Sequence, residues 1–589
     1  MALQNFVDKV APFVDKVAPA VSAAFLNGLD VTVNEVLAGA QSVPEAQAAL
    51  GLSGIVDIDI PVPINQGGTG AETATEALVN LGGTTLSQVL NTFYPQTPAE
   101  IAADVTPTNL QYPPGNVFRY GAVGNGTTDD TQALQTAITV AGALAGGGIA
   151  YLTSNAFLVS SALVIAGSNV SLKGAGNSSV IVSNSATADV IQITGSHIDL
   201  SDFVINASVA RTAGLFINVG GTGVANVQVE FIRIRRVHGN NWFNGIGYLG
   251  VGGTTLRIED GNWSTNVPGG IGVNINTSPL ASADMVLKDL LIEGPSSSSQ
   301  GAIAIQVLSA GDLTLDHVST VHMGVGLNVV PGNGQVVEAL FCHDSFFDTG
   351  NGTGVNFNPA AGGTIQLARF GRVWSASNTN GFILGASGTG LIQDAEFVDC
   401  IGSNNTNDGF VIDSPICTDV RVIGGSFSAN GETGVTIVSG VTKFKILGAI
   451  IGPCGEFAGN TVGLSLDGLN DLFTISDCDI TNNTTASVIT APTGGVPGQT
   501  WFITNNQGIV TNNGQTGVAL ESAATTTTIN HGLSGTPDAS DIMLTPNSGN
   551  GTAGQLWING ATSTHFVINS TAVPGAGVLV AWRARIWGT

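Results

Sequence analysis

An all-β solenoid, with one parallel coil per repeat, is the fold class this sequence predicts. Three observations carry it. Gly is 80 of 589 residues, about twice the usual share, while charged residues are only 10%. Short alternating apolar segments that begin at Gly recur at a drifting period near 27. A chain rich in Gly, Asn, Thr and Val with positive mean hydropathy is one of many short strands and many turns, since disorder needs low hydrophobicity together with high net charge.

The repeats are GIGVNI, GAIAIQV, GVGLNVV, GVNFNP, GFILGA, GFVIDS, GVTIVS and GLSLDG, starting at Gly270, Gly301, Gly324, Gly354, Gly381, Gly409, Gly434 and Gly463. A drift of this kind means one coil per repeat, with insertions absorbed in loops. Asn378-Thr379-Asn380 and Asn405-Thr406-Asn407 occupy the same place in consecutive coils, as stacked amide ladders require. About thirteen coils at ~4.8 Å each make a rod of roughly 60 Å.

Such a rod has open ends that need covering. At one end, NGTTDDTQALQTAI predicts a capping helix over 129–142. Asp129 is its expected N-cap, Gln132 the reciprocal partner of a capping box, and Asp130 an anion in the first turn. Ala133, Leu134, Ala137, Ile138 and Ala141 form its apolar face. The adjacent acids read better as a helix start than as a catalytic pair. At the other end, residues 499–589 hold short β-like runs between Gly, Asn and Pro turns, which predicts a small antiparallel sandwich.

Ahead of the coils, FVDKVAP occurs twice in residues 5–19, with Phe6, Val10, Phe13 and Val17 at coiled-coil spacing and prolines at 12 and 19. Short helical turns that associate with copies of themselves or with a docking partner fit this pattern; an ordinary amphipathic helix on its own domain is the plainer alternative. Val43–Leu52 reads as another short helix, and Ile55–Ile64 as a strand stopped by prolines, its Asp57 and Asp59 facing solvent. The expected domains are an attachment region over 1–64, a neck or linker over 65–115, the solenoid over 116–498, and the C-terminal β-rich module over 499–589.

Two stretches resemble known families. NQGGTGAETATEALVNLGGTT (Asn65–Thr85) resembles an element found repeatedly in bacteriophage tail-fibre proteins. NVFRYGAVGNGTTDDTQALQTAI (Asn116–Ile138), followed by GGGIAYL, is similar to the opening of the pectate-lyase-type right-handed parallel β-helix, a signature that phage tailspikes share with polysaccharide-degrading enzymes. The resemblance implies a helix that caps the first coil, C-terminal modules in which three chains associate, and virion-tail localisation, with the N-terminus docked on tail proteins. The opening motif carries fold, not catalysis.

Charge and cysteine usage narrow the functions. A net charge of −25 repels a phosphate backbone, so nucleic acid is not an expected partner. The five Cys residues have no CxxC spacing and read as buried free thiols, which suits assembly in a reducing cytoplasm. The N-terminus lacks the basic and apolar regions of a secretory signal, and the apolar stretch Ala133–Leu152 is too interrupted to span a membrane. HExxH, GxSxG and P-loop motifs do not occur, and neither cofactor nor metal is expected.

On stacked coils, carboxylates distant in sequence become neighbours. Glycoside hydrolysis needs two of them roughly 5–10 Å apart, one protonated and one ionised. Asp316, Asp344 and Asp399 each lie ten residues before a coil-reference Gly (326, 354 and 409). Glu293 and Asp348 lie in the same band and complete the catalytic candidates, with Glu396 and His322 beside them. Trp374, Arg372, His317 and His343 are the expected sugar contacts, because aromatic faces and donors suit sugar rings. The plainer reading makes each Asp a turn residue bonded to its own backbone. In FIRIRRVHG, Ile232 and Ile234 point inward and Arg233 and Arg235 outward, either to grip an anionic sugar or to pair with acids of another subunit. The expected function is a homotrimeric tailspike that binds and depolymerises host surface polysaccharide by hydrolysis or elimination. A non-catalytic receptor-binding fibre is the alternative, and a secreted pectinase-like enzyme a third.

Overall fold

The computed structural model describes residues 94–585 apart from 145, 221–228, 250–253, 278–282, 296–300, 349, 351, 490–500, 509–513, 519–523, 532, 534, 547–553 and 574–579. The FVDKVAP repeat, the two segments that follow it and the tail-fibre-like element all lie outside these residues.

The solenoid is present as a right-handed parallel β-helix. Thirteen strands, one per coil from Leu163–Ile165 to Thr485–Ile489, stack in chain order into one parallel sheet. The remaining arms of the coils form a second, larger sheet, also parallel within the coils. Inward side chains fill the interior. Phe357, Phe370, Phe382, Phe397 and Phe410 pack with ring centroids 4.9–6.3 Å apart, and Phe444, Phe473 and Trp501 stack at 4.7 and 5.6 Å.

The coil glycines have a steric cause. In the thirteen-stranded sheet Gly272, Gly326, Gly354, Gly381, Gly409 and Gly434 fall in register, with Ala304 the exception. A Cβ on Gly381 would lie 2.3 Å from the Gly409 carbonyl oxygen of the next coil, and one on Gly326 2.6 Å from that of Gly354. The column therefore runs through Gly272, Ala304 and Gly326, two or three residues past the expected Gly270, Gly301 and Gly324.

The larger sheet bends at single residues of left-handed conformation. One column of them, in register from coil to coil, reads Asp202, Arg236, Asp260, Asp289, His317, Asp344, Arg372, Asp399, Gly424, Gly448, Asp477 and Asn505, every one with φ between 49 and 65°. A second column lies five residues earlier (Asp284, Ala339, Leu367, Asp394) and a third five later (His322, Ser377, Asn404, Ala429). Asp, Asn, His and Gly dominate the first column because they tolerate this region best. Coil length varies around this constant frame: 34 residues separate Asp202 from Arg236, and 24 separate Arg236 from Asp260.

Next to the third column runs a buried asparagine ladder. Asn405 donates to Asn430, Asn430 to Asn460, and Asn460 to Asn483, each at 2.9 Å, while Asn378 closes one end through the Phe347 carbonyl at 2.8 Å. The expected stacking of Asn378 over Asn405 is seen.

The capping helix differs in detail. Helix α1 covers Pro98–Ala102 and α2 covers Thr131–Ala143, with Ala133, Leu134, Ala137, Ile138, Val140 and Ala141 buried on the first coil. Asp130, not Asp129, holds the N-cap position, and its buried carboxylate turns back to the Val123 and Gly124 N–H groups at 2.6 and 3.1 Å. Asp129 accepts instead from the Thr131 N–H at 3.0 Å and from Ser160 at 2.6 Å. Gln132 makes no capping box; its amide reaches Thr136.

Residues 97–115, expected as linker, are part of the cap. Thr97 and Glu100 form a capping box on α1. The fully buried Glu100 accepts two hydrogen bonds from the equally buried Arg119, at 2.5 and 3.0 Å, and one from Tyr120 at 3.0 Å. Burial pushes the Glu100 carboxyl up, but the bonds from Arg119, the Thr97 N–H and Tyr120 outweigh it and hold it below the usual range.

Beyond the last coil, Gly514–Val518, Val580–Arg585 and Ile542–Pro546 extend the larger sheet by antiparallel pairing, and Thr526–Asn530, His565–Ser570 and Leu556–Ala561 form a separate three-stranded antiparallel sheet. They share a small core of Ile529, Leu533, Ile542, Phe566, Ile568 and Trp582. Cys342, Cys400, Cys417 and Cys478 are buried free thiols, and Cys454 is half-buried. No helix among the described residues is long and apolar enough to cross a membrane.

Candidate functional site

The first left-handed column places the candidates. In the coils of the candidates, residues one position before the bend (Asp316, His343) and two after it (Ser319, Phe346, Trp374) are half-buried or exposed, so they flank the bend on the same outer wall. His317, Asp344, Arg372 and Asp399 are consecutive bend residues. Asp316 is not in this column. It lies one position earlier, in register with His343. The expected alignment of Asp316 with Asp344 and Asp399 is therefore off by one residue.

The offset brings a different cluster together. Asp316 accepts from Lys288 Nζ at 2.6 Å, and its other oxygen lies 2.7 Å from His317 Nδ1. Donor atoms of Asp316, His317 and Asp344 all lie within 4.8 Å of one another. Arg372 clamps Asp344 through Nε and Nη2, both at 2.7 Å. The hydrogen bond from Lys288, with His317 adding to it, holds Asp316 below the usual carboxylate range, and Arg372 does the same for Asp344. Both acids are thus ionised. Lys288 and Arg372 already compensate the charge that a divalent cation at these three residues would answer. The carboxyls that burial raises are Asp408 and Asp413, which flank Phe410–Ile412 in the other sheet.

Across the bend, two positions on, Phe346 and Trp374 stand in register with centroids 6.4 Å apart. Phe457 meets Trp374 edge-on at 6.0 Å. It sits on the turn between Gly452 and Gly459, three coils further along, where Cys454 and Phe457 pair as a tight antiparallel bridge. This turn folds back over the wall and bounds the aromatic strip at one end.

The other candidates are dispersed. Asp399 is two coils from Asp344, with Arg372 between them. Glu293 and Asp348 lie four positions past the bend, two coils apart, and Glu293 lies 3.9 Å from His322. His343 stacks with Phe341 at 6.5 Å. Glu396 and Asp394 share Arg421, and Asp394 also holds Arg369. Arg233 and Arg235 face outward as expected, but each pairs within the chain, with Glu259 at 2.8 Å and Asp199 at 3.0 Å. Arg236 clamps Asp202 as Arg372 clamps Asp344. Lys288, Phe346 and Phe457 escaped the sequence reading. For Lys288 the signal was available, since VLKDL and TLDHV are offset by one coil.

Residues 115–352 match the family model for rhamnogalacturonase A/epimerase, pectate lyase-like. Among curated proteins, no sequence matches this one. Among solved structures, the chain is similar to the A-module of a mannuronan C-5 epimerase of Azotobacter vinelandii, with 19% identity and TM-score 0.38 over 62% of this chain and 98% of that one. It is also similar to a surface adhesin of Streptococcus pneumoniae, with 13% identity and TM-score 0.35 over 67% and 90%. A third is the tailspike gp49 of Pseudomonas phage LKA1, with 11% identity and TM-score 0.36 over 80% and 100%. Likenesses at these values concern the fold and do not bear on activity.

Proposed function

We propose that this chain is a phage tailspike that binds host surface polysaccharide and cleaves it, at the Asp316–His317–Asp344–Arg372 cluster, by elimination. The observation that carries this reading is the pairing of an Asp-oriented histidine with fixed positive charge, next to an aromatic strip, where coils that match a pectate-lyase-like family model over residues 115–352 give way to the next coil, which carries Arg372 and Trp374. With Nδ1–H donated to Asp316, His317 keeps the Nε2 lone pair free to accept a proton. A proton next to a uronate carboxylate is the acidic one in such glycans. Its removal stores charge on that carboxylate, which Arg372 and Lys288, paired with Asp344 and Asp316, would stabilise through the donors those pairings leave over. The bond to the glycosidic oxygen breaks as the double bond forms, and the leaving oxygen takes a proton from solvent water. Hydrolysis fits less well, because both acids of the cluster are held ionised and neither can act as the protonated partner.

The tail-fibre-like element at 65–85 supports attachment to a virion through the N-terminal region. Homotrimeric assembly belongs to the same proposal, and mass photometry of the purified chain tests it.

A non-catalytic receptor-binding fibre is the second reading. It is favoured by the repetition of the Asp344–Arg372 clamp at Asp202–Arg236, away from the cluster, which marks such clamps as stacking devices of the bend column. Incubation of the purified chain with extracted host polysaccharide separates the two. Elimination gives shorter chains and the ultraviolet absorbance of a new double bond. Unchanged chain length on a glycan that the protein binds leaves the adhesin.

A further inference from the structure

The wall that carries the cluster holds a concavity near the N-terminal end of the solenoid. It is a groove of about 410 Å³, within the roughly 300–1,000 Å³ of small-ligand sites. Asn177, Asn206, Asn240, Asn262 and His238 line it over Val180 and Val204. Its residues come from consecutive coils: Val204 and Asn206 pair with His238 and Asn240, which pair in turn with the coil of Asn262. No charged side chain lines it.

The polar groups are arranged with capacity to spare. Asn206 accepts from Asn241 at 3.2 Å, and Asn240 accepts from Ser264 at 3.0 Å. The NH₂ groups of both, and the side chains of Asn177 and Asn262, make no hydrogen bond among the described residues. His238 Nδ1 accepts the Asn262 N–H at 2.9 Å, so the proton of the neutral ring sits on Nε2 and is available for donation. Burial lowers the His238 pKa and keeps the ring neutral.

Side-chain amides offer donors and acceptors together, as sugar hydroxyls do, and valine methyls suit the C–H face of a pyranose ring. We infer that this groove is a binding site for a neutral oligosaccharide segment, separate from the cleavage cluster. The inference rests on the glycan-binding half of the reading above but not on cleavage. His238 occupies the same outward column as Phe346 and Trp374, with Asn262, Leu291 and Ser319 between. Five steps of about 4.8 Å put roughly 24 Å between groove and Trp374. One glycan chain lying along the wall spans both, so the groove holds polymer while the cluster works on it.

Titration calorimetry of the full chain with gluco-, galacto- and manno-oligosaccharides of three to six units, and with oligogalacturonate as the charged control, tests this. At least one neutral series binds saturably and more tightly than oligogalacturonate. Asn240→Leu and the milder Asn262→Ser weaken that binding at least tenfold with unchanged thermal unfolding. Asp316→Asn leaves it intact. Absence of saturable neutral binding, tighter binding of oligogalacturonate, or full affinity in both groove variants overturns the inference. Loss of cleavage in Asp316→Asn with groove binding preserved supports both proposals. Full cleavage in that variant sinks the catalytic reading alone.

Discussion

Arg372 and Arg236 occupy equivalent bends, and each clamps the aspartate of the preceding coil. An arginine held at φ near 50° is unusual, since long side chains avoid the left-handed region. Its presence there is explained by the charges around it: Asp202 and Asp260 flank Arg236, and Asp344 and Asp399 flank Arg372. Without the arginines, the flanking acids, two coils or about 9.6 Å apart, would face each other with no cation between them. Asparagine tolerates the same backbone, so Arg236→Asn and Arg372→Asn should lower the thermal midpoint by similar small amounts. Only Arg372→Asn should also cut polysaccharide cleavage. His317→Asn keeps the bend and removes the base, and cleavage should fall by about 10²-fold or more. Because Lys288 and Arg372 lower the Asp316 and Asp344 pKa values, the contacts these carboxylates make persist above their unfolded range of about 4 and are lost as pH falls through the lowered values. A pH–rate profile should therefore show no acid limb between pH 5 and 7 that Asp344→Asn removes. The misplacement of Asp316 has a physical origin. Ten residues separate Asp316 from Gly326, but eleven separate His343, its true register partner, from Gly354. Counting backward across a corner of variable length introduces a one-residue slip, and one residue is the difference between a bend and a strand face.

At the scale of elements, the helix cap and the strand repeats were legible because each is local. The face of α2 follows from its own apolar spacing, and the coil glycines from a carbonyl one coil away. The part of the cap built by α1 was not, because Glu100 meets Arg119 nineteen residues later across a proline-rich stretch that reads as linker. Removing one partner leaves an uncompensated buried charge. Arg119→Met should destabilise the cap by about 3–5 kcal/mol, measured as faster hydrogen exchange in residues 97–122 than in later coils. The asparagine ladder was legible only in part, where two repeats happen to share length. Asn430 accepts from the Asn405 N–H and amide and donates to Gly402 and Asn460. Asn430→Leu orphans all of these groups and should cost more than about 3 kcal/mol, with unfolding rate as the readout.

For the whole molecule, the problem is the ends of a stacked sheet. The cap of 97–143 covers the first coil, and the antiparallel strands after residue 514 follow the last, with Gly514 pairing in parallel with Thr504. A chain truncated at residue 508 should expose the Phe502–Thr504 edge and associate into larger species, which size-exclusion chromatography with light scattering would detect. What the sequence conveys at this scale is the period. It does not convey which residues share a wall, because coils differ in length. Those differences have an order, however. The bends keep their five-residue spacing while the remaining corners absorb ten residues of variation between one coil and the next. Each coil is thus an exchangeable cassette with a fixed wall and a free rim. Grafting a rim segment such as 452–459 onto another coil would move the boundary of the aromatic strip without disturbing the frame beneath it, so the outer wall is reshaped one rim at a time.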